Sequence, residues 1–327
     1  MRIGVFEHLA AHPTGNVGER YANVIEEVKL ADELGYDVAW LAEGHFHPSH
    51  CILPAPLVLA SALAARTQRI RLGTAASVVT LHHPVYVAEE AAMLDVLSNG
   101  RLEFGITRGA HPAAFKAFGV SLEDSRSRFT EACDVIRAAW TEPTVSFRGE
   151  YFNLANVSVV PKPLQLPHPP ISVAGRTEAT ALFAAEKGLN LLVGALTSFM
   201  PHAFSAHVAA YREAWTAYRA KPCGSVSAIV VVSPYERSHP VRETVHRSLV
   251  SYFRVIGKSI DPQGIESQTG VMGDPSHCVE AIAALVAAAP IDDLVCCFNP
   301  GGLLSHADVA MSMQRFADDV IPAVRRM

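Results

Sequence analysis

The feature that most constrains this chain is an alternation. Short apolar runs rich in β-branched residues are each followed by a longer stretch with helical spacing, and the pair recurs eight times. The runs are IGVF (3–6), VAWLAE (38–43), IRLGTAASVV (70–79), RLEFGIT (101–107), ISVAG (171–175), LNLLVG (189–194), VSAIVVVS (226–233) and DDLVCCF (292–298). They are apolar almost throughout, which is the pattern of strands covered on both faces. After the first run, Val24, Ile25, Val28, Ala31 and Leu34 share one helix face that closes at Gly35. Further helices are expected at 56–65, from Pro84 to about 97–100, and at 121–141, 177–187, 199–220 and 240–255. Asp274 and Pro275 read as the start of another, and 305–324 as the last.

Eight such units predict an α/β chain folded as a (β/α)8 TIM barrel, one domain over residues 1–327. Two segments interrupt the pattern. Residues 144–170 read as a hairpin excursion around Arg148 and Gly149 with a proline-rich return, and 256–273 as a short irregular insertion. A doubly wound sheet fits less well, because no GxGxxG follows the first strand and no GxxxxGK[ST] occurs.

Charge removes several classes of partner. The formal net charge is −5 and no run of like charge occurs, whereas nucleic acid and anionic membranes both select a basic face. No apolar run approaches the ~18 residues of a membrane span, and MRIGVFEHLA does not look like a signal peptide. Six cysteines, two of them adjacent and none in a CxxC, predict a reduced cytoplasmic protein.

In a barrel the chemistry sits where the strands end. Those ends carry Glu7 and His8, Glu43 to His47, Ala75 to Ser77, Thr107 and Arg108, Gly175 to Thr177, Gly194 and Asn299. The segment EGHFHPSHC (43–51) invites a metal reading through His45, His47 and His50. Strands five and six end without ligands, however, and alternate residues of an extended segment point apart, so no metal is predicted. His47 and His50 are expected on a solvated loop. Gly175, Arg176 and Thr177 join close backbone approach, a cation and a helix N-cap, which together favour an anion. Arg108 and Arg126 add two cations on the neighbouring unit, and the set points to a phosphate monoester. Ala75 and Ala76 form a small apolar ledge that either supports a planar ring or only packs the rim.

These segments resemble the bacterial luciferase family of flavin-dependent monooxygenases. The resemblance runs through GYDVAWLAEGHF (35–46), residues 73–109, FGVSLEDSR (118–126), VAGRTEAT (173–180) and residues 296–324. It implies a dimeric barrel that binds reduced FMN. Arg108 and Arg126 would hold the phosphate, with Gly175, Arg176 and Thr177 beside them. Ala75 and Ala76 would carry the isoalloxazine across a non-proline cis peptide. Val173, Ala174 and Gly194 would line the ring edge and tail, with Glu43 and Thr107 in the matching motifs around the same cofactor.

The implied reaction is that of a two-component monooxygenase. A separate flavin reductase supplies reduced FMN, O2 adds to give a C4a-peroxyflavin, and a small organic substrate is oxygenated: an aldehyde, a ketone or an aromatic natural product. His45 is either the catalytic residue or an interface residue paired across a homodimer with Glu89, the dimer forming through helices 56–65 and 84–98. Light-producing chains have a histidine where this chain has Gly44 and a reactive cysteine where it has Thr107, and they carry a longer lid after the seventh unit. Light emission is therefore not the expected main role. A deazaflavin (F420)-dependent dehydrogenase or reductase and a non-catalytic stabilising subunit remain as alternatives on the same barrel.

Overall fold

The chain was analysed as a computed structural model, which describes residues 1–12, 15–194, 201–219, 222–236, 239–260 and 270–327. Eight strands form the barrel: β1 (Arg2–Glu7), β2 (Val38–Leu41), β3 (Arg71–Thr74), β4 (Leu102–Thr107), β5 (Ile171–Gly175), β6 (Asn190–Gly194), β7 (Val226–Pro234) and β8 (Asp293–Cys297). Every pairing around the ring is parallel. The ring closes where Arg2 of β1 lies against Asp293 of β8. Helices fill the crossovers, as the sequence predicts for an α/β barrel.

Local chemistry accounts for the elements. The helix Val17–Glu33 starts at Asn16, whose Oδ1 accepts from the amides of Gly18 (2.7 Å) and Glu19 (3.3 Å). Its buried face carries Val24, Val28 and Ala31, three of the five residues predicted. Pro84 opens the helix Pro84–Leu97, and Pro275 opens Pro275–Ala288. Inside the barrel the indole of Trp40 needs room that neighbouring strands provide. A Cβ on Gly73 would lie 2.4 Å from its ring, and one on Gly105 would lie 1.9 Å from the Thr74 carbonyl oxygen.

Four details differ from the sequence expectation. The third strand stops at Thr74 and resumes only at Ser77–Val78, because the Ala75–Ala76 peptide between them is cis. The helix expected at 121–141 begins at Ser125, and a separate short helix occupies Pro112–Phe118. Part of the segment expected to be irregular, Gly270–Gly273, pairs parallel with β7. Within that segment 261–269 lie outside the described residues, as do 195–200 before the helix Pro201–Tyr218. The excursion at 144–170 does form a hairpin, Val145–Arg148 against Asn153–Val157. No helix among the described residues is long and apolar enough to cross a membrane, and all six cysteines are free.

The N-terminal end of the barrel is closed by charge. Arg2 donates to both carboxylate oxygens of Asp293 (2.7 and 2.6 Å) and to Glu103 (2.8 Å). Arg71 also donates to Glu103 (2.7 Å), and Ser227 to Asp293 (2.7 Å). These contacts staple β1, β3, β4, β7 and β8 at one end and leave the other end for the site.

Candidate active site at the strand ends

A cavity of about 390 Å³ opens at the C-terminal ends of the strands, within the range typical of small-molecule sites. Eight residues predicted from sequence line it: Glu43, Ala75, Ala76, Thr107, Ala174, Gly175, Arg176 and Gly194. The others stand around it. Val173 is buried beneath the wall in β5. Thr177 caps the helix Glu178–Lys187 by accepting from the Thr180 amide (3.3 Å), as its residue type implies. Arg108 and Arg126 are exposed and do not contribute to the wall. Arg108 follows Thr107 directly and donates to Ser125 Oγ (3.1 Å), at the start of the helix that carries Arg126. Arg176 immediately follows β5, the strand paired with β4, so all three cations belong to neighbouring units.

The wall mixes apolar and polar residues. The cis peptide sets Ala75 and Ala76 at one edge, with Phe6, Leu192 and Ile229 also lining the cavity. Thr107 is held toward β5 by donating to the Ala174 carbonyl (3.2 Å).

Glu43 organises the adjoining rim. Its Oε1 takes hydrogen bonds from His45 Nε2 (3.0 Å) and His82 Nε2 (3.2 Å), and its Oε2 accepts from the Val78 amide (3.1 Å). Burial disfavours the carboxylate, but the bonds from the two histidines and the amide outweigh it and hold the carboxyl below its usual range. The bond to Glu43 in turn raises His82. His45 therefore has a partner in its own chain and does not line the cavity. The donor atoms of Glu43, His45 and His82 lie within 4.8 Å of one another, a spacing that could hold a metal ion. The cluster takes His82 from another segment and leaves out His47 and His50, so it is not the triad the sequence raised. Its hydrogen bonds account for the arrangement without an ion.

The sequence profile of the luciferase-like monooxygenases matches residues 1–292. This chain belongs to that family. Among curated proteins it is similar to the oxygenase component of flavin-dependent trigonelline monooxygenase from Acinetobacter baylyi. Identity is 33% over 59% of this chain and 54% of the relative. That protein and two further relatives, from Sinorhizobium fredii, are each matched over about half their length. Among solved structures, monooxygenase RslO1 from Streptomyces bottropensis superposes with a TM-score of 0.90 at 27% identity, covering 98% of this chain and 99% of that one. The oxygenating constituent of 3,6-diketocamphane monooxygenase from Pseudomonas putida, in complex with FMN, has the same fold. Its TM-score is 0.83 at 19% identity, covering 99% and 98% of the two chains.

In this luciferase-like chain the glycine at position 44 has a structural reason. A Cβ there would sit 2.4 Å from the Cβ of Cys51, because the turn after His47 folds back onto the second strand end. The same fold-back leaves His47 and His50 half-buried on a loop whose neighbours Phe46, Pro48 and Ser49 are exposed, so the two histidines are less solvated than the sequence predicts. His47 keeps a buried Nδ1 with no partner among the described residues. His50 lines the cavity, and burial, followed by the charges of His47 and His111, lowers it to about 4. Among the cavity residues that the sequence did not assign to the site are His8, named there only as a strand-end residue, and Tyr252. His8 carried a signal, since it immediately follows β1; Tyr252 lies inside a helix and carried none.

Proposed function

We propose that this chain is the oxygenase of a two-component system and takes reduced FMN at the barrel mouth. The observation that carries the proposal is one cavity holding both the Ala75–Ala76 ledge and the Gly175–Arg176 turn. A flavin mononucleotide needs a flat apolar support for its ring and donors or cations for its phosphate, and the residues present fit both. When bound, the reduced flavin supplies electrons and O2 chemistry. The chain's own residues bind, orient and exclude water. Ala75 and Ala76 support the ring, and Val173, Ala174 and Gly194 shape its surroundings. Arg176 in the wall, with Thr177, Arg108 and Arg126 outside it on neighbouring units, would hold the phosphate. The substrate is a small organic compound.

We further infer that residues 1–327 act as one barrel domain and pair as a homodimer. Helices Pro56–Ala64 and Pro84–Leu97 leave Val58 (66% exposed), Tyr86 (59%) and Leu97 (58%) in water, apolar surface that a second copy would cover. The dimer would bring the partner's Glu89 to the Glu43–His45–His82 cluster, so His45 serves the interface or the chemistry next to it.

The test is to mix protein loaded with reduced FMN with air-saturated buffer and time the release of hydrogen peroxide. The proposal expects release far slower than from free reduced FMN, because the cavity shields the flavin. Release at the rate of the free flavin overturns it.

A further inference from the structure

Three rings meet at one corner of the cavity. His8 follows β1, His50 belongs to the fold-back after β2, and Tyr252 lies in the helix Val241–Val255 after β7. The His8 and His50 rings are 4.4 Å apart at 88°, His8 and Tyr252 are 5.4 Å apart at 82°, and His50 faces Tyr252 at 6.2 Å and 16°. His8 is 6% exposed and Tyr252 4%. None of the three side chains hydrogen-bonds to another among the described residues, and His8 Nδ1 is fully buried without a partner. His8 Nδ1 is sealed from the cavity, so the nitrogens that a ligand could meet are His8 Nε2 and those of His50, none of which has a hydrogen-bond partner among the described residues.

His8, at the end of β1, lies four strands from β5 in either direction and so across the mouth from the Gly175–Arg176 turn, whereas Tyr252, from the helix after β7, lies close enough for the Arg176 charge to act on its hydroxyl. The surrounding wall is apolar, with Phe6, Ile229 and Ile256. Burial keeps both imidazoles uncharged at neutral pH, lowering His8 to about 3 and His50 to about 4. A neutral imidazole offers one N–H donor and one acceptor, which suits a carbonyl or hydroxyl and gives no counter-charge to a carboxylate.

We propose that the His8–His50–Tyr252 corner is the substrate subsite, and that it takes a flat aromatic compound through an uncharged hydroxyl or carbonyl oxygen. The proposal rests on the flavin oxygenase reading only for the co-substrate beside it. His8 and His50 are the binding residues that recognise the oxygen, and Tyr252 packs against the ring with its hydroxyl at hand. The two cations of the wall, Arg176 and Lys258, are exposed to water, and the Arg176 charge reaches Tyr252 rather than the two imidazoles.

The test is calorimetric titration of FMN-loaded protein with 2-naphthol, naphthalene and 2-naphthoate. The wild type is expected to bind 2-naphthol at least about tenfold more tightly than either of the others, the worth of one satisfied hydrogen bond. His8→Phe and His50→Leu should each remove that preference while leaving naphthalene and FMN affinity unchanged. His8→Gln, which keeps a donor and an acceptor, should retain part of it and guards against a folding defect in the phenylalanine variant. Equal affinity for naphthol and naphthalene, tighter binding of naphthoate, binding of none of the three, or unchanged preference in both variants would overturn the subsite. If the protein does not take up FMN and the unloaded chain still prefers naphthol, the flavin reading falls and the subsite stands.

Discussion

The two ends of the barrel treat polar groups in opposite ways. At the N-terminal end, Arg2, Arg71, Glu103, Asp293 and Ser227 satisfy one another across five strands. At the C-terminal end, nitrogens of His8 and His47 are buried without partners among the described residues, and so are Arg20 Nε and Ser233 Oγ close to the strand ends. The backbone also reaches left-handed values there at Leu9 (φ 48°) and Phe46 (φ 59°). A side-chain network that is complete holds strands in register. One that is incomplete is a place where a ligand belongs, and where local rules yield to function.

The largest expected effect breaks the stapled end. Asp293→Ala strands Arg2 and Ser227. Removing one partner of a buried pair costs roughly 3–5 kcal/mol, and partial exposure of Arg2 puts the expectation near 3 kcal/mol. Urea unfolding measures it. A loss below about 1 kcal/mol would mean that the charges at this end do not staple the barrel.

Next comes the fold-back that presents His50. Gly44→Ala drives a methyl into Cys51, and overpacking of this kind costs about 1–3 kcal/mol. Cys51→Gly in the same chain should recover much of that loss. If the double variant is no better than the single one, Cys51 is not what requires glycine at 44.

The proposed phosphate role of the Gly175–Arg176 turn is sharpened by ligand choice. Arg176→Ala should weaken FMN by about 1.5–3 kcal/mol and riboflavin by much less, since only FMN carries the phosphate charge. Arg108→Ala should show the same selectivity. Equal losses for the two ligands would remove the phosphate role from that arginine.

The smallest effect is the rim's dependence on pH. Glu43 is held below its usual range, so its contribution to stability is present above the ordinary glutamate value of ~4.3 and lost as pH falls through the lowered one. His82 is raised, so its contribution is full below the ordinary histidine value of ~6.5 and fades as pH rises through the raised one. The pair is strongest between those two ordinary values. His82→Gln should flatten the alkaline slope of stability by about 0.5–1 kcal/mol. Melting temperatures of both proteins across pH 5 to 9 show whether the slope belongs to His82; identical curves would say that it does not.

The barrel was legible because its strands are buried on both faces and read as apolar runs at regular intervals. Gly270–Gly273 escaped notice because two of its four residues are glycine, which the strand pattern disfavours. The turn at Gly175–Arg176–Thr177 was legible, since residue type alone names the strand end, the cation and the helix cap. The cis peptide at Ala75–Ala76 followed from family resemblance and could not have been read from two alanines. The histidines were the weak point. Spacing within residues 43–51 does not show that the turn folds back, that Cys51 fills the space beside Gly44, or that His82 joins Glu43 from 39 residues away. Tyr252 enters the site through tertiary packing of a helix whose sequence reads as ordinary.

The central claim is that the open end of the barrel is built for reduced FMN. Anaerobic titration with reduced FMN and, separately, with reduced F420 tests it most directly. The account predicts saturable 1:1 binding of reduced FMN that is at least about tenfold weaker in Arg176→Ala, with reduced F420 bound more weakly. Tighter binding of reduced F420, or no binding of reduced FMN, would contradict it.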